Sequence, residues 1–256
     1  MSREIRVDRD EELNLFYRMV IRESDERILL IHAASGLGKT VLLSEFEKRC
    51  PKGISYIPID FKGGGTSVAG VFSLACDTLG RDRFPLLSAK LLQFVNPASV
   101  NVVDNTLFGR NLIDVALSAP DEDTRALRRE ALTDVFFDDL RALNRIVFAF
   151  DTFNDCRDAV VQTWLSSSFL PRVRNTPELI VVLAGQCVPE PALGWRNLCY
   201  VLELKPMIET GPWEQFADEI GAEVHPEFIH GCCFTCKGHP LTIAQAITAY
   251  AARTGE

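Results

Sequence analysis

Continuous apolar runs alternate with amphipathic stretches along this chain. Ile28–His32, Ile54–Ile59, Ile146–Phe150, Leu179–Ala184 and Cys199–Leu204 are short runs rich in β-branched and aromatic residues. Such runs mark strands buried on both faces of a parallel sheet. Between them, Thr40–Lys48, Val68–Leu79, Arg125–Leu143 and Cys156–Leu170 carry helical spacing. The alternation predicts right-handed βαβ units with helices on both faces of the sheet. Ser99–Val103 and Leu112–Leu117 alternate polar and apolar residues around a polar Gly-containing stretch, which predicts a β-hairpin insertion within 97–123. After Lys205-Pro206 the strand patterns stop. Pro212–Ile220, Pro226–Lys237 and Pro240–Arg253 then read as three helices. The predicted organisation is an α/β domain over 1–205 followed by a small all-α unit over 206–256.

Composition narrows the class without changing this picture. The 256 residues are 47% hydrophobic and 24% charged, values of a globular chain that exclude a largely disordered one. The first dozen residues are too charged for a signal peptide's apolar region, and no apolar run is long enough to cross a bilayer. A cytoplasmic protein is the expectation. Lys and Arg total 27 against 35 Asp and Glu, a formal charge of -8, and no dense basic run occurs. Nucleic acid is therefore an unfavoured partner. The 8 cysteines, in a chain neither small nor visibly secreted, read as reduced thiols, several of them apolar core residues.

The most informative stretch is Ala33-Ala34-Ser35-Gly36-Leu37-Gly38-Lys39-Thr40-Val41, which joins a buried strand to an amphipathic helix. A phosphate chain needs converging backbone N–H donors, and a tight glycine turn at a helix N-terminus supplies them. Lys39 is placed to reach the β- and γ-phosphates, and the Thr40 hydroxyl to bind Mg²⁺. Ala33 stands where the motif has its leading glycine. Asp151 ends the strand Ile146–Phe150, where a carboxylate can hold a magnesium-bound water. Hydrolysis also needs a group to orient water. Thr152 cannot act as a base, and the next acid is Asp155, which reads equally well as a water-positioning residue or a helix cap. A nucleoside di- or triphosphate with Mg²⁺ is the expected ligand set, and Lys39, Asp151 and Asp155 are the candidate catalytic groups.

Together these residues resemble the STAND class of P-loop ATPases, signalling relatives of AAA+ proteins that include NACHT and NB-ARC modules. The segment Val7-Asp8-Arg9-Asp10-Glu11-Glu12-Leu13 is similar to the "GRExEL" stretch before the first strand, with Asp8 in place of glycine. Phe150-Asp151-Thr152-Phe153-Asn154 resembles the "DTFE" form of Walker B, with Asn154 in place of Glu. Ala184-Gly185-Gln186 looks like the sensor "AGR", and Gly238-His239-Pro240 like the "GxP" motif of the lid. The resemblance implies a three-layer αβα P-loop NTPase sheet with a helical lid. It also implies that Arg9, Gln186 and Pro240 lie by the nucleotide. It further implies an ATP/ADP switch that self-associates and drives effector and sensor domains, in defence or programmed-death signalling. Asn154 and Gln186 imply slow turnover. Two other functions stay open: a nucleotide-holding scaffold without turnover, and a nucleic-acid motor or loader. Relatives carry further domains, so this chain reads as the NTPase core alone, a part of a longer protein or a short stand-alone member.

His230, Cys232, Cys233, Cys236 and His239 could nominally supply four zinc ligands. A structural zinc site usually joins two separated pairs, however, and here all the ligands fall in one stretch. On a helix over Pro226–Lys237 the three cysteines share largely one face, so buried thiols are the preferred reading.

Overall fold

The computed structural model describes residues 9–62, 66–95 and 110–254. Strands β1 (Ile28–His32), β2 (Ser55–Asp60), β3 (Ile146–Asp151), β4 (Leu179–Gly185) and β5 (Cys199–Glu203) form one sheet in the order β2-β3-β4-β1-β5. Every pairing is parallel. All residues of β3 and β4 are buried, which is why both read as unbroken apolar runs. β2 lies at an edge, and Pro58, which has no N–H to give a further strand, is tolerated there.

Helices cover both faces. On one side α1 (Asp10–Ile21) and α2 (Lys39–Arg49) pack Leu13, Phe16, Leu42 and Phe46 over Ile31, Val147, Ala149 and Val182. Phe16 stacks on Phe46 with ring centres 4.2 Å apart. On the other side lie α3 (Val68–Leu79), α4 (Pro85–Phe94), α5 (Arg110–Leu117), α6 (Glu122–Arg141) and α7 (Ala159–Trp164). The last of these continues through a π-helical segment, Leu165–Phe169, into α8 (Leu170–Arg172). Phe72, Phe136, Trp164 and Phe169 form an aromatic core against Phe148 and Phe150 of β3. The Trp164 indole N–H donates to the Thr133 hydroxyl at 2.9 Å inside this core.

After β5 come α9 (Gly211–Glu219), α10 (Pro226–Thr235) and α11 (Pro240–Thr254). They bury Trp213, Phe216, Ile229, Cys233, Ile243 and Ile247 in an apolar cluster of their own, separate from those on the sheet. We call this unit the lid.

The predicted hairpin within 97–123 is corrected where the chain is described. Leu112–Leu117 lies in α5, and Leu112, Ile113 and Ala116 are buried at helical spacing against α3 and α6. The alternation there was too short to distinguish a strand from one helix face. The Ser99–Val103 strand lies outside the described residues. The helix predicted over Cys156–Leu170 starts later, at Ala159, where the Asp158 side chain accepts the Val160 N–H. α1 and α4 were not predicted. α4 begins at Pro85, and its Leu86 and Leu87 N–H groups donate to the buried Asp139 carboxylate from α6, a cap no local pattern shows.

Candidate functional site

The loop from Ala33 to Gly38 leaves the tip of β1 and enters α2 at Lys39. Gly36 and Gly38 adopt φ of +76° and +90°, a region that glycine enters without a Cβ penalty. Ala33 does not adopt positive φ, so alanine serves where the motif has glycine. Its N–H donates to the Gly185 carbonyl at 3.1 Å, and its side chain is buried. Lys39 Nζ curls back over the loop and donates to the carbonyls of Ala33 and Ala34, both at 2.8 Å. Burial pushes the Lys39 ammonium's pKa down, and the nearby Asp151 charge pulls it partly back up. The lysine and the strand-tip acid therefore face one electrostatic environment, although they are far apart in sequence.

Asp151 sits at the end of β3, and its Oδ1 accepts the Thr152 N–H at 2.7 Å. Thr152 has φ +57°, a left-handed conformation that a β-branched residue rarely adopts. This bend throws the chain at once into a 3₁₀ turn over Phe153–Asp155. Asn154 then ties two strand tips together. Its Oδ1 accepts the Gln186 N–H at 3.1 Å, and its Nδ2 donates to the Asp155 carboxylate at 2.8 Å. Asp155 is thus held by a residue that is itself tied to Gln186, which follows β4 directly.

The lid closes over the loop from the β5 side. The His239 ring nitrogen Nε2 lies 2.9 Å from the Ser35 carbonyl, and its Nδ1 lies 2.9 Å from the Thr242 hydroxyl. Leu241 N–H donates to the Gly36 carbonyl at 3.3 Å. Arg9 spans the other junction, donating to the carbonyls of Leu37 at 3.2 Å and Lys205 at 3.0 Å and pairing with Glu12 at 2.9 Å. These contacts bound a cavity of about 1020 Å³. Arg9, Ser35, Gly36, Leu37, Gly38, Lys39, Thr40, Val41, Asp151, Asp155, Gln186 and Pro240 all line it. Ala33 and Ala34 contribute through the carbonyls that hold Lys39. A hydroxyl from Thr40 and a carboxylate from Asp151 on one cavity wall are oxygen donors of the kind Mg²⁺ prefers.

The sequence reading missed several lining residues, including Asp60 and Lys62 at the β2 end and Met207, Pro212 and Gln215 from the lid. Met207, Pro212 and Gln215 belong to no motif. Asp60 did carry a signal, an acid closing a strand predicted to lie in the same sheet. Elsewhere in the lid, Cys232 and Cys233 are buried in its apolar cluster, with Cys236 packed beside them. Burial raises the pKa of the Cys232 and Cys233 thiols. Among the described residues no three His, Cys, Asp or Glu side chains converge as a metal centre would require. No described helix is long and apolar enough to cross a membrane.

No protein-family model matches the chain, and no curated protein matches it in sequence. Solved structures do match. One is the Signal Transduction ATPase with Numerous Domains (STAND) protein with a tetratricopeptide repeat sensor from Pyrococcus horikoshii. It is 14% identical with a TM-score of 0.55, over 94% of this chain and 29% of that one. Another is a Walker-type ATPase of Pyrococcus abyssi, 17% identical with a TM-score of 0.57, over 99% of this chain and 70% of that one. The chain thus spans under a third of the length of the first. At these identities the likeness establishes the fold alone, a three-layer αβα P-loop NTPase fold.

Proposed function

We propose, from that fold, that this chain is the ATP- and ADP-binding switch module of a STAND-type ATPase, with slow ATP hydrolysis. One observation carries the reading: the Gly36–Thr40 loop, Asp151, Arg9 and the lid residues Met207 and Pro240 wall a single cavity. In this reading the loop amides and Lys39 hold the phosphates, Lys39 exchanging its two carbonyl partners for phosphate oxygens. Thr40 and Asp151 would hold Mg²⁺, which supplies charge neutralisation at the β- and γ-phosphates. Arg9 and Pro240 border the nucleoside end.

Slow turnover follows from the β3 tip. Thr152 offers no carboxylate, and Asn154 spends both ends of its amide on the Gln186 N–H and Asp155. Removing one preorganised group commonly costs roughly 10²–10³ in rate. The lid touches the loop through His239 and Leu241, so a change in the phosphates is felt where the lid docks. Such a switch would change self-association and signal to sensor and effector domains. The test is the identity of the nucleotide retained on purification, with turnover and oligomer size measured in ATP and in ADP. Retained adenine nucleotide, turnover below about one per second and a size change between the two states are expected. Absence of nucleotide binding would sink the reading.

A further inference from the structure

The second carboxylate that Thr152 does not supply beside Asp151 has a counterpart on the next strand. Asp60 closes β2 and is the register partner of Asp151, so the two Cα atoms face each other across the ladder. The ladder continues past them through Phe61 N–H to the Asp151 carbonyl at 3.2 Å. Register partners on adjacent parallel strands lie about 4.8 Å apart and project to the same face of the sheet. The rest of β2 shows which face this is. Tyr56, four residues before Asp60 and on its side, donates its hydroxyl to the Leu43 carbonyl of α2 at 2.9 Å. Val147 and Ala149, on the Asp151 side of β3, pack under Leu42 and Leu43 of the same helix. Asp60 and Asp151 therefore both point to the side of the phosphate-loop helix.

The order of strands sets the direction of a bound nucleotide. The lid follows β5, the phosphate loop follows β1, Asp151 ends β3, and β2 lies beyond. A triphosphate with its nucleoside under the lid and its phosphates over the loop and Asp151 points its terminal phosphate toward β2. An attacking water must approach in line, opposite the leaving oxygen, from that far end. Asp60 and Lys62 line the cavity there. The Asp60 side chain is also oriented: Oδ1 accepts the Lys62 N–H at 2.8 Å, and the Asp60 carbonyl accepts the Thr66 hydroxyl at 3.0 Å. Among the described residues Oδ2 has no hydrogen-bond partner. Asp155, which also lines the cavity, is bonded to Asn154, whose Oδ1 accepts the Gln186 N–H at the end of β4.

We propose that Asp60, from β2, is the catalytic base that activates water for ATP hydrolysis in this site. The carboxylate accepts a proton from the water as its oxygen bonds to the terminal phosphorus. The bond from that phosphorus to the bridging oxygen breaks, ADP leaves with the electron pair, and the proton passes on to the products. This rests on the reading of the cavity as an ATP site.

The test is single-turnover hydrolysis of radiolabelled ATP, with affinity measured separately using a fluorescent ATP analogue. Asp60→Asn should lower the cleavage rate by about 10²-fold, the ordinary contribution of a general base, and leave affinity within about two-fold. Asp60→Glu should recover part of the loss, and Asp155→Asn should lose at least about ten-fold less than Asp60→Asn. A rate within about three-fold of wild type in Asp60→Asn, with affinity intact, overturns the proposal. So does a wild type that binds ATP and never cleaves it, or a larger loss in Asp155→Asn. A wild type that binds no nucleotide defeats the ATP-site reading itself, so the two failures are distinguishable.

Discussion

Gly36→Ala tests how the lid is seated on the loop. Gly36 has φ +76°, and a non-glycine residue there costs about 1–2 kcal/mol. An added Cβ would also lie 2.2 Å from Cε1 and 2.6 Å from Nε2 of His239, so the ring has to leave its place. Its departure breaks the contact with the Ser35 carbonyl, about 1 kcal/mol. It also breaks the cap that Nδ1 provides to Thr242 at the start of α11, about 1 kcal/mol more. The total is about 3–4 kcal/mol against the docked lid. Urea unfolding of wild type, Gly36→Ala, His239→Ala and the double variant separates the parts. His239→Ala alone should cost about 2 kcal/mol, and in the Gly36→Ala background close to nothing, because the ring is already displaced. The expected coupling is about 2 kcal/mol, whereas independent sites add within about 0.5 kcal/mol. Additive losses, or a Gly36→Ala cost under about 1 kcal/mol, would refute the seating of His239 on this glycine.

Three other outcomes are expected. Lys39→Ala removes the phosphate ligand without touching the core, so calorimetry should find no measurable ATP or ADP binding while the melting temperature holds. Unchanged affinity would discard the phosphate-loop assignment. Thr133→Val leaves the Trp164 indole N–H without its acceptor in the aromatic core and should cost about 1–3 kcal/mol in denaturant unfolding. A neutral result would mean the bond is not made in solution. Burial pushes the Cys76 and Cys199 thiols up to about 12 and the Cys50 thiol up to about 11. The unfolded chain ionises these thiols from about pH 8.5 while the folded chain resists. Stability is therefore full below that pH and falls as pH rises toward 11–12. Melting temperatures between pH 8 and 10.5 should decline, less steeply in Cys76→Ala, and an equal slope in that variant would contradict the burial argument.

The strands and the loop were legible because their signals are local. β3 and β4 are buried on both faces and read as unbroken apolar runs, and the Gly36–Thr40 motif has to be contiguous to fold round a phosphate. Arg9, Gln186 and Pro240 came from resemblance to STAND proteins rather than from any pattern of their own. Two features were not legible for the opposite reason. α4 is capped by Asp139, which is 52 residues from Leu87, so its start depends on tertiary packing. The pairing of Asp60 with Asp151 depends on β2 lying beside β3, and strand order is not written in either strand. Thr152 was read as the absence of an acid. The structure adds that it is also the left-handed bend that leads straight into the Phe153–Asp155 turn.

The lid's separate apolar cluster has a further consequence. Because α9, α10 and α11 bury Trp213, Phe216 and Ile243 among themselves, moving the lid need not open either core on the sheet. Its attachment to the loop includes the His239–Ser35 and Leu241–Gly36 hydrogen bonds, worth about 2 kcal/mol together. A bias of that size is about thirty to one, a preference rather than a lock. A ligand that adds or removes one comparable bond at the loop would change the odds by about a factor of five either way. Lid position then becomes a graded readout of occupancy, with domain motions on the microsecond to millisecond scale setting how often the odds are sampled.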